Sequence, residues 1–287
     1  MTRIVYVNGR YLPYGQAAVH VEDRGFQFAD AVYEVCEVKN GSLIDEKRHI
    51  TRLQRSLAEL MIPAPAGAWT IGHIMRQCIA RNRVRNGVVY LQVTRGEAAR
   101  DFSFPGADVA PTLVCLARSN NPGKTEALAA AGIAVKTMPE SRWARCDIKT
   151  VMLLPACLAK EAAKASGARE AWFVDADGNV TEGASSNAWI VTKAGALVTR
   201  PLGPELLPGV TRATLLDLLA RENLSLQERP FSVAEAKDAR EAFNTSASAT
   251  VMPVVMIDET SVGDGKPGPL TLRLRSSFHQ VAAVSGR

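Results

Sequence analysis

Long hydrophobic runs are missing from this sequence of 287 residues. No window approaches the roughly eighteen uninterrupted apolar residues that a membrane-spanning helix needs. The N-terminus also lacks the positively charged segment and apolar core of a secretory signal. The sequence therefore predicts a protein that neither enters a membrane nor is secreted.

Cysteine is scarce and scattered. The five cysteines are odd in number and never form a CxxC pair, and the four histidines are equally dispersed. This distribution argues against a disulfide scaffold and against a metal site. It predicts reduced thiols, as in a cytoplasmic protein.

Aromatic residues make up only 6% of the chain, and no run of Lys or Arg is interleaved with them. The net charge of +5 is therefore not the footprint of a nucleic-acid-binding protein. A mild positive charge favours small anionic substrates, or has no functional meaning. The hydrophobic share of 47% and the charged share of 22% are those of an ordinary globular protein.

The first part of the chain, residues 1–118, is predicted to be a small α+β domain. Asn8–Gly9 and Asn40–Gly41 each favour the tight turn of a β-hairpin. Apolar residues at helical spacing then predict one helix around Ile50 and a second helix capped by Thr70.

The second part, residues 124–287, is predicted to be a larger domain in which strands and helices alternate. Residues 119–123 are polar and turn-forming, and are predicted to link the two domains. The strands expected in the larger domain are Ile133–Met138, Ala171–Val174, Asn187–Val191 and Val251–Ile257, and the helices are Leu154–Ala165, Thr211–Arg221 and Leu270–Val284.

Two segments of the larger domain have the composition of anion-binding loops. Leu207–Arg212 places a glycine just before a predicted helix, where backbone N–H groups can face a phosphate. Asn244–Ser248 is a second loop of small polar residues. Each alone is more often a plain connection, but together they suggest a phosphorylated ligand.

Four motifs resemble the class IV (fold type IV) aminotransferases, in the family's order and over most of the chain. They are the N-terminal signature Asp23–Val35, the lysine motif Arg142–Lys149, the acidic motif Thr181–Asn187 and the phosphate turn Leu207–Arg212. The resemblance implies an α/β (mixed α+β) fold of two domains, with a small N-terminal α+β domain and a larger, β-rich, cofactor-binding domain. It also implies pyridoxal 5′-phosphate as the cofactor.

The same resemblance assigns roles at the cofactor. Lys149 would form the Schiff base, which requires its neutral amine, and Glu182 would keep the pyridine nitrogen protonated so that the ring accepts electrons. Taken without the family, Lys149 could be a solvated surface lysine and Glu182 a turn carboxylate. The other cofactor-binding residues implied are Arg142 in the network of Glu182, Arg52 at the phosphate, Leu207 against the ring, and Val210, Thr211, Ser246 and Ala247 completing the phosphate cup. Arg52 could otherwise belong to a solvated helix face, and Arg142 to a structural ion pair.

The substrate residues resemble those of the D-amino-acid branch. Tyr33 and Arg100 match its carboxylate-binding pair, whereas Gln92 stands where branched-chain L-aminotransferases tend to carry an arginine. Phe102 departs from the branch, which usually has histidine there. In the family the Arg100 loop reaches the active site of the partner subunit, so a homodimer is expected.

The predicted reaction is transamination between a D-amino acid, such as D-alanine or D-glutamate, and a 2-oxo acid, such as 2-oxoglutarate or pyruvate. Branched-chain L-aminotransferase and (R)-amine transaminase are the nearest alternatives. An aminodeoxychorismate lyase would share the scaffold but eliminate, and a non-catalytic binding protein would not need Lys149 and Glu182 together.

Overall fold

The computed structural model describes residues 3–285, which form two compact units. The first unit contains the chain up to Pro122, the short segment Ile148–Met152 and the C-terminal segment from Ala283. The second contains Gly123–Asp147 and Leu153–Ala282. That residues 119–123 link two independently folding domains remains a prediction.

The first unit is built on a six-stranded antiparallel sheet with the strand order β2-β1-β6-β5-β3-β4. Its strands are β1 (Ile4–Val7), β2 (Arg10–Pro13), β3 (Ala31–Lys39), β4 (Ser42–Leu43), β5 (Gly87–Thr94) and β6 (Thr112–Ser119). Its helices are α1 (Arg24–Phe28), α2 (Glu46–Glu59) and α3 (Ala68–Arg81). α2 packs on β3 and α3 packs on β1, β5 and β6.

Both predicted hairpins are confirmed. Asn8 and Gly9 have φ of 42° and 87°, and Asn40 and Gly41 have φ of 53° and 83°. Two consecutive left-handed residues match the twist of the strands they join, which is why Asn–Gly is favoured there. Thr70 is not a helix cap, because α3 already begins at Ala68 after the N-cap Gly67.

The second unit contains a nine-stranded mixed sheet with the order β12-β11-β10-β13-β14-β7-β8-β9, and β15 pairs with β14. Its strands are β7 (Ile133–Pro139), β8 (Glu170–Val174), β9 (Val180–Gly183), β10 (Asn187–Val191), β11 (Leu197–Thr199), β12 (Leu226–Glu228), β13 (Glu241–Ser246), β14 (Thr250–Ile257) and β15 (Thr260–Ser261). Its helices are α4 (Pro122–Ala131), α5 (Leu154–Ala165), α6 (Val210–Arg221), α7 (Val233–Lys237) and α8 (Pro269–Val281).

The sheet of the second unit is covered by helices and has a large buried core. Trp172 and Phe231 are fully buried in it and meet edge to face, with ring centroids 6.3 Å apart. Helix α5 packs on β7 and β8 through alanines such as Ala159 and Ala163, which allow close approach. The predicted mixed α+β fold is confirmed.

Several predicted elements differ from the structure. The predicted helix Leu270–Val284 ends at Val281. The segment Asn244–Ser248, expected to be a loop, continues β13 as far as Ser246. Within residues 3–285, no helix has the length and apolar character required to cross a membrane.

Candidate active site

Lys149 lies in the short extended segment Ile148–Met152, alongside the edge of β3. Thr150 forms an antiparallel bridge with Val32, and the backbone N–H of Tyr33 donates to the carbonyl of Lys149 at 3.0 Å. Strand β4 pairs only with the far end of β3, which leaves this edge open to the segment. The backbone of Lys149 is therefore fixed by strand-like pairing.

The side chain of Lys149 lies beside the first of two stacked tyrosine rings. Its Nζ lies 4.2 Å from the ring centroid of Tyr33, which stacks on Tyr90 with centroids 5.7 Å apart. The hydroxyl of Tyr90 donates to Oε1 of Gln92 at 2.6 Å. Burial, and then the neighbouring Tyr33, raise the pKa of Tyr90 to about 12. Tyr90 therefore stays neutral and keeps this hydrogen bond.

Glu34 lies on the other face of β3 from Tyr33 and meets two side chains of α2. Arg52 donates to both carboxylate oxygens, through Nε and Nη2 at 2.8 Å each, and Nδ1 of His49 lies 2.7 Å from Oε2. All three side chains are buried. Burial alone would raise the pKa of Glu34, but Arg52 and His49 outweigh it and lower the pKa from 4.5 to about 2. The bidentate pair holds Arg52 in one orientation.

Glu182 lies in β9 with its carboxylate almost fully buried. Nη1 of Arg142 donates to Oε1 at 2.5 Å. The side chain of Asn187 and the backbone N–H of Leu207 donate to Oε2 at 3.0 and 3.1 Å. Three donors therefore converge on this buried carboxylate.

Arg142 is shared between Glu182 and a second carboxylate, Glu140. Its Nε and Nη2 donate to the two oxygens of Glu140 at 2.9 and 2.7 Å, and Thr181 donates to Glu140 at 2.9 Å. Burial alone would lower the pKa of Arg142, but the two carboxylates raise it. One guanidinium between two carboxylates leaves a net charge of −1. The cluster of these three side chains therefore carries an excess of one carboxylate.

Helix α6 presents an uncapped N-terminus. Its N-cap Gly209 has no side chain with which to cap the first turn, and Val210 and Thr211 in that turn are buried. Buried first-turn N–H groups need a partner, and an anion supplies one. This helix end has the donor set of a phosphate site.

Asn187 ties this helix end to Glu182 and to β13. A Cβ on Gly209 would lie 2.1 Å from Oδ1 of Asn187, so only glycine fits there. Asn187 pairs in register with Thr245, which is followed by Ser246 at the end of β13 and by Ala247 in the next turn. The start of α6 and the end of β13 are therefore brought to the same end of this sheet.

These environments of the second unit fit pyridoxal phosphate. The cluster of Glu140, Arg142 and Glu182 suits a protonated pyridine nitrogen, and the uncapped start of α6 suits the phosphate. The fit rests on charge and donor chemistry.

Arg100 and Phe102 lie in the connection between β5 and β6 and are exposed. The guanidinium of Arg100 lies 5.0 Å from the ring centroid of Phe28 and 5.8 Å from that of Phe102. Within residues 3–285, Arg100 shares neither a hydrogen bond nor a ring contact with Tyr33. The two predicted carboxylate-binding residues therefore make no direct contact within the described part of the chain.

Three side chains of these clusters were not selected from the sequence. Glu34 and Asn187 lie inside quoted motifs, but nothing local indicates their partners. Glu140 is two residues before Arg142 at the end of β7, and this spacing was the only available signal.

Comparison with known proteins places the chain in a family. The profile of amino-transferase class IV matches residues 31–257. D-alanine aminotransferases of Staphylococcus haemolyticus and Bacillus licheniformis are each 37% identical, over 96% of this chain and 96% and 95% of theirs. The branched-chain amino acid aminotransferase of Escherichia coli shares the fold with a TM-score of 0.88 at 22% identity, covering 98% of this chain and 94% of its own.

The profile covers well over half of the chain, and the sequence relatives match nearly end to end. The resemblance in the four motifs is therefore confirmed at the level of the family. The chain belongs to the class IV aminotransferases, whose cofactor is pyridoxal 5′-phosphate.

Proposed function

We propose that this aminotransferase exchanges the amino group between a D-amino acid, such as D-alanine or D-glutamate, and a 2-oxo acid, such as pyruvate or 2-oxoglutarate. Sequence relatives named D-alanine aminotransferase, similar over nearly the whole chain, support the D-specific reading. Within the fold, Gln92 is the residue that supports D-specificity. It accepts a hydrogen bond from Tyr90, at the position where the branched-chain L-branch tends to place an arginine.

The bound cofactor would supply an electron sink for the substrate's α-carbon. In this proposal, Nζ of Lys149 would hold the cofactor while no substrate is bound, and the freed amine would move the proton at the substrate's α-carbon. Its fixed backbone and the face of Tyr33 limit where Nζ can travel. Proton transfer needs a donor and acceptor within hydrogen-bond reach, which such a restricted side chain provides.

Glu182 is proposed to hold the proton on the pyridine nitrogen. Arg142, Asn187 and Leu207 donate to its carboxylate and orient it. Val210, Thr211, Ser246 and Ala247 are proposed to bind the phosphate with backbone and hydroxyl donors, together with Arg52. Leu207 is proposed to lie against the ring.

The substrate carboxylate is proposed to bind Tyr33 of one subunit and Arg100 of the other, in a homodimer. Arg100 is exposed, which supports such a role. Phe102 offers no hydrogen-bond donor, so desolvating a second carboxylate beside it is costly. The five unpaired thiols fit the proposed cytoplasmic location.

A spectral titration with paired enantiomers tests this function. D-alanine should convert the cofactor of the purified enzyme to its amino form, and L-alanine and L-leucine should not.

Arg100→Ala should raise KM for D-alanine while the cofactor spectrum of the resting enzyme is unchanged. Phe102→His should improve D-glutamate relative to D-alanine. A preference for L-leucine would refute D-specificity.

A further inference from the structure

The connection between β5 and β6, residues 95–111, contains Arg100 but no helix and no named strand. A side chain on such a long connection has no regular element to fix its position. A carboxylate trap, however, depends on holding a guanidinium within a fraction of an ångström of its partner. Something else must hold the backbone around Arg100.

Arg24, in the N-terminal signature motif, holds this backbone. Its Nη1 donates to the carbonyl of Asp101 at 2.7 Å and to that of Ser103 at 3.3 Å. The side chain of Arg24 is only 3% exposed. The two carbonyls immediately follow Arg100 and flank Phe102, so one buried guanidinium fixes the backbone on that side of the trap residue.

Arg24 is itself anchored through Asp30. Its Nε donates to Oδ2 of Asp30 at 2.9 Å, and Arg95 binds the same carboxylate through Nε and Nη2 at 2.7 and 3.0 Å. Arg95 also donates to the carbonyls of Leu60 and Met61, beyond the end of α2. The connection is thereby tied to the helical layer of the first unit.

The ring of Phe28 continues the contact from Arg24 to Arg100. The guanidinium of Arg24 lies 4.7 Å from the ring centroid of Phe28, and that of Arg100 lies 5.0 Å from the same ring. Phe102 packs against Phe28 with centroids 5.6 Å apart. The signature motif thus touches both the backbone and the side chain of the trap.

We propose that Arg24 is a positioning residue for substrate recognition: it acts through Arg100, whose place it fixes by binding the carbonyls of Asp101 and Ser103. The N-terminal signature motif thereby gains a role in substrate recognition. The inference rests on the proposed role of Arg100. Lysine can replace Arg24 only in part, because an ammonium lacks the planar fork that serves Asp30 and the two carbonyls together.

A double-mutant cycle between Arg24 and Arg100 in the holoenzyme tests this inference. Arg24→Gln should lower kcat/KM for D-alanine roughly ten- to hundred-fold, mostly through KM. In an Arg100→Ala background the same substitution should cause little further loss. Arg24→Lys should give a smaller loss of the same kind, and it carries the test if Arg24→Gln does not fold. Arg81→Gln, which removes an arginine stacked on Tyr11 elsewhere in the unit, is the control.

Hydrogen exchange supplies a second readout that does not depend on activity. Amides of residues 98–105 should exchange faster in Arg24→Gln and Arg24→Lys than in the wild type or in Arg81→Gln. A full additional loss of kcat/KM in the Arg100→Ala background, or unchanged exchange in this segment, would overturn the inference. If Arg100→Ala alone leaves KM unaltered, the proposed role of Arg100 fails instead, and the exchange data still decide whether Arg24 holds the segment.

Discussion

Two buried arginines, Arg52 in the first unit and Arg142 in the second, are set in different charge environments. Arg52 and His49 surround the single carboxylate of Glu34, whereas Arg142 is shared by Glu140 and Glu182. The first cluster has no excess negative charge, and the second has a net charge of −1. An excess of donors favours an anion and an excess of carboxylate favours a cation.

Pyridoxal phosphate carries both kinds of charge, an anionic phosphate and a pyridine nitrogen that can be protonated. The proposed role of Glu182 at the ring nitrogen follows from the excess of carboxylate around Arg142, whereas the proposed role of Arg52 at the phosphate rests on the resemblance to the family. Pairing with glutamate does not by itself distinguish the two arginines, because each of them pairs with at least one glutamate. The balance of charges around each arginine, rather than its presence, separates the two roles.

Removing the charge of Glu182 should have the largest effect. Glu182→Gln should slow the single-turnover reaction with D-alanine by about 10²–10³-fold, as expected for the loss of a preorganised charge near the reacting centre, while substrate binding changes little. Glu140→Gln removes the same net charge from the cluster but leaves the proposed ring partner in place, so a smaller loss in Glu140→Gln separates the direct contact from the charge of the cluster. Rapid-mixing absorbance measures both. Near-normal rates in Glu182→Gln would assign the carboxylate a structural role only.

The next largest effect should be the loss, at acid pH, of the folding stability that the Glu34 cluster contributes. The folded-state pKa of Glu34, about 2, lies below the ordinary value of 4.5, so its stabilisation is complete above pH 4.5 and is lost as the pH falls toward 2. Linkage gives on the order of 3 kcal/mol over that window. Urea unfolding at several pH values should show this loss in the wild type and a flatter profile in Glu34→Gln. Parallel profiles would contradict the assignment.

A smaller effect is expected for cofactor affinity at Arg52. Removing Arg52 alone would strand the buried Glu34, so Arg52→Gln should be made in the Glu34→Gln background and compared with Glu34→Gln itself. Loss of a charged hydrogen bond of about 1.5–3 kcal/mol corresponds to a roughly ten- to hundred-fold higher Kd for the cofactor. Arg55→Ala, a partly exposed arginine of the same helix, is the control. Equal dissociation constants would remove Arg52 from the phosphate site.

Local sequence signals predicted the elements whose ends are marked by strong turn or helix chemistry. The two Asn–Gly hairpins and helix α5, with Pro155 in its first turn, needed no long-range information. The start of α3 was misplaced, because Thr70 has a capping side chain but the chain turns earlier, at Gly67. The short strands β9, β11 and β12 were not predicted, since three or four residues carry too little periodicity.

The candidate site was predictable only through the family motifs. Lys149 and Glu182 could be selected there, but the pairing of Arg52 with Glu34 depends on how α2 packs against β3. The bond from Arg24 to the carbonyl of Asp101 joins residues 77 positions apart. Such contacts are set by the tertiary structure, which a single sequence does not encode in any local pattern.

The central claim is that Lys149 bonds to the cofactor. Borohydride reduction of the holoenzyme, followed by peptide mass mapping, tests it most directly, because the tag becomes permanent on whichever of the ten lysines carries it. The account predicts a phosphopyridoxyl mass on the peptide containing Lys149, and no tag in Lys149→Ala. A tag on any other lysine of the wild-type enzyme would contradict it.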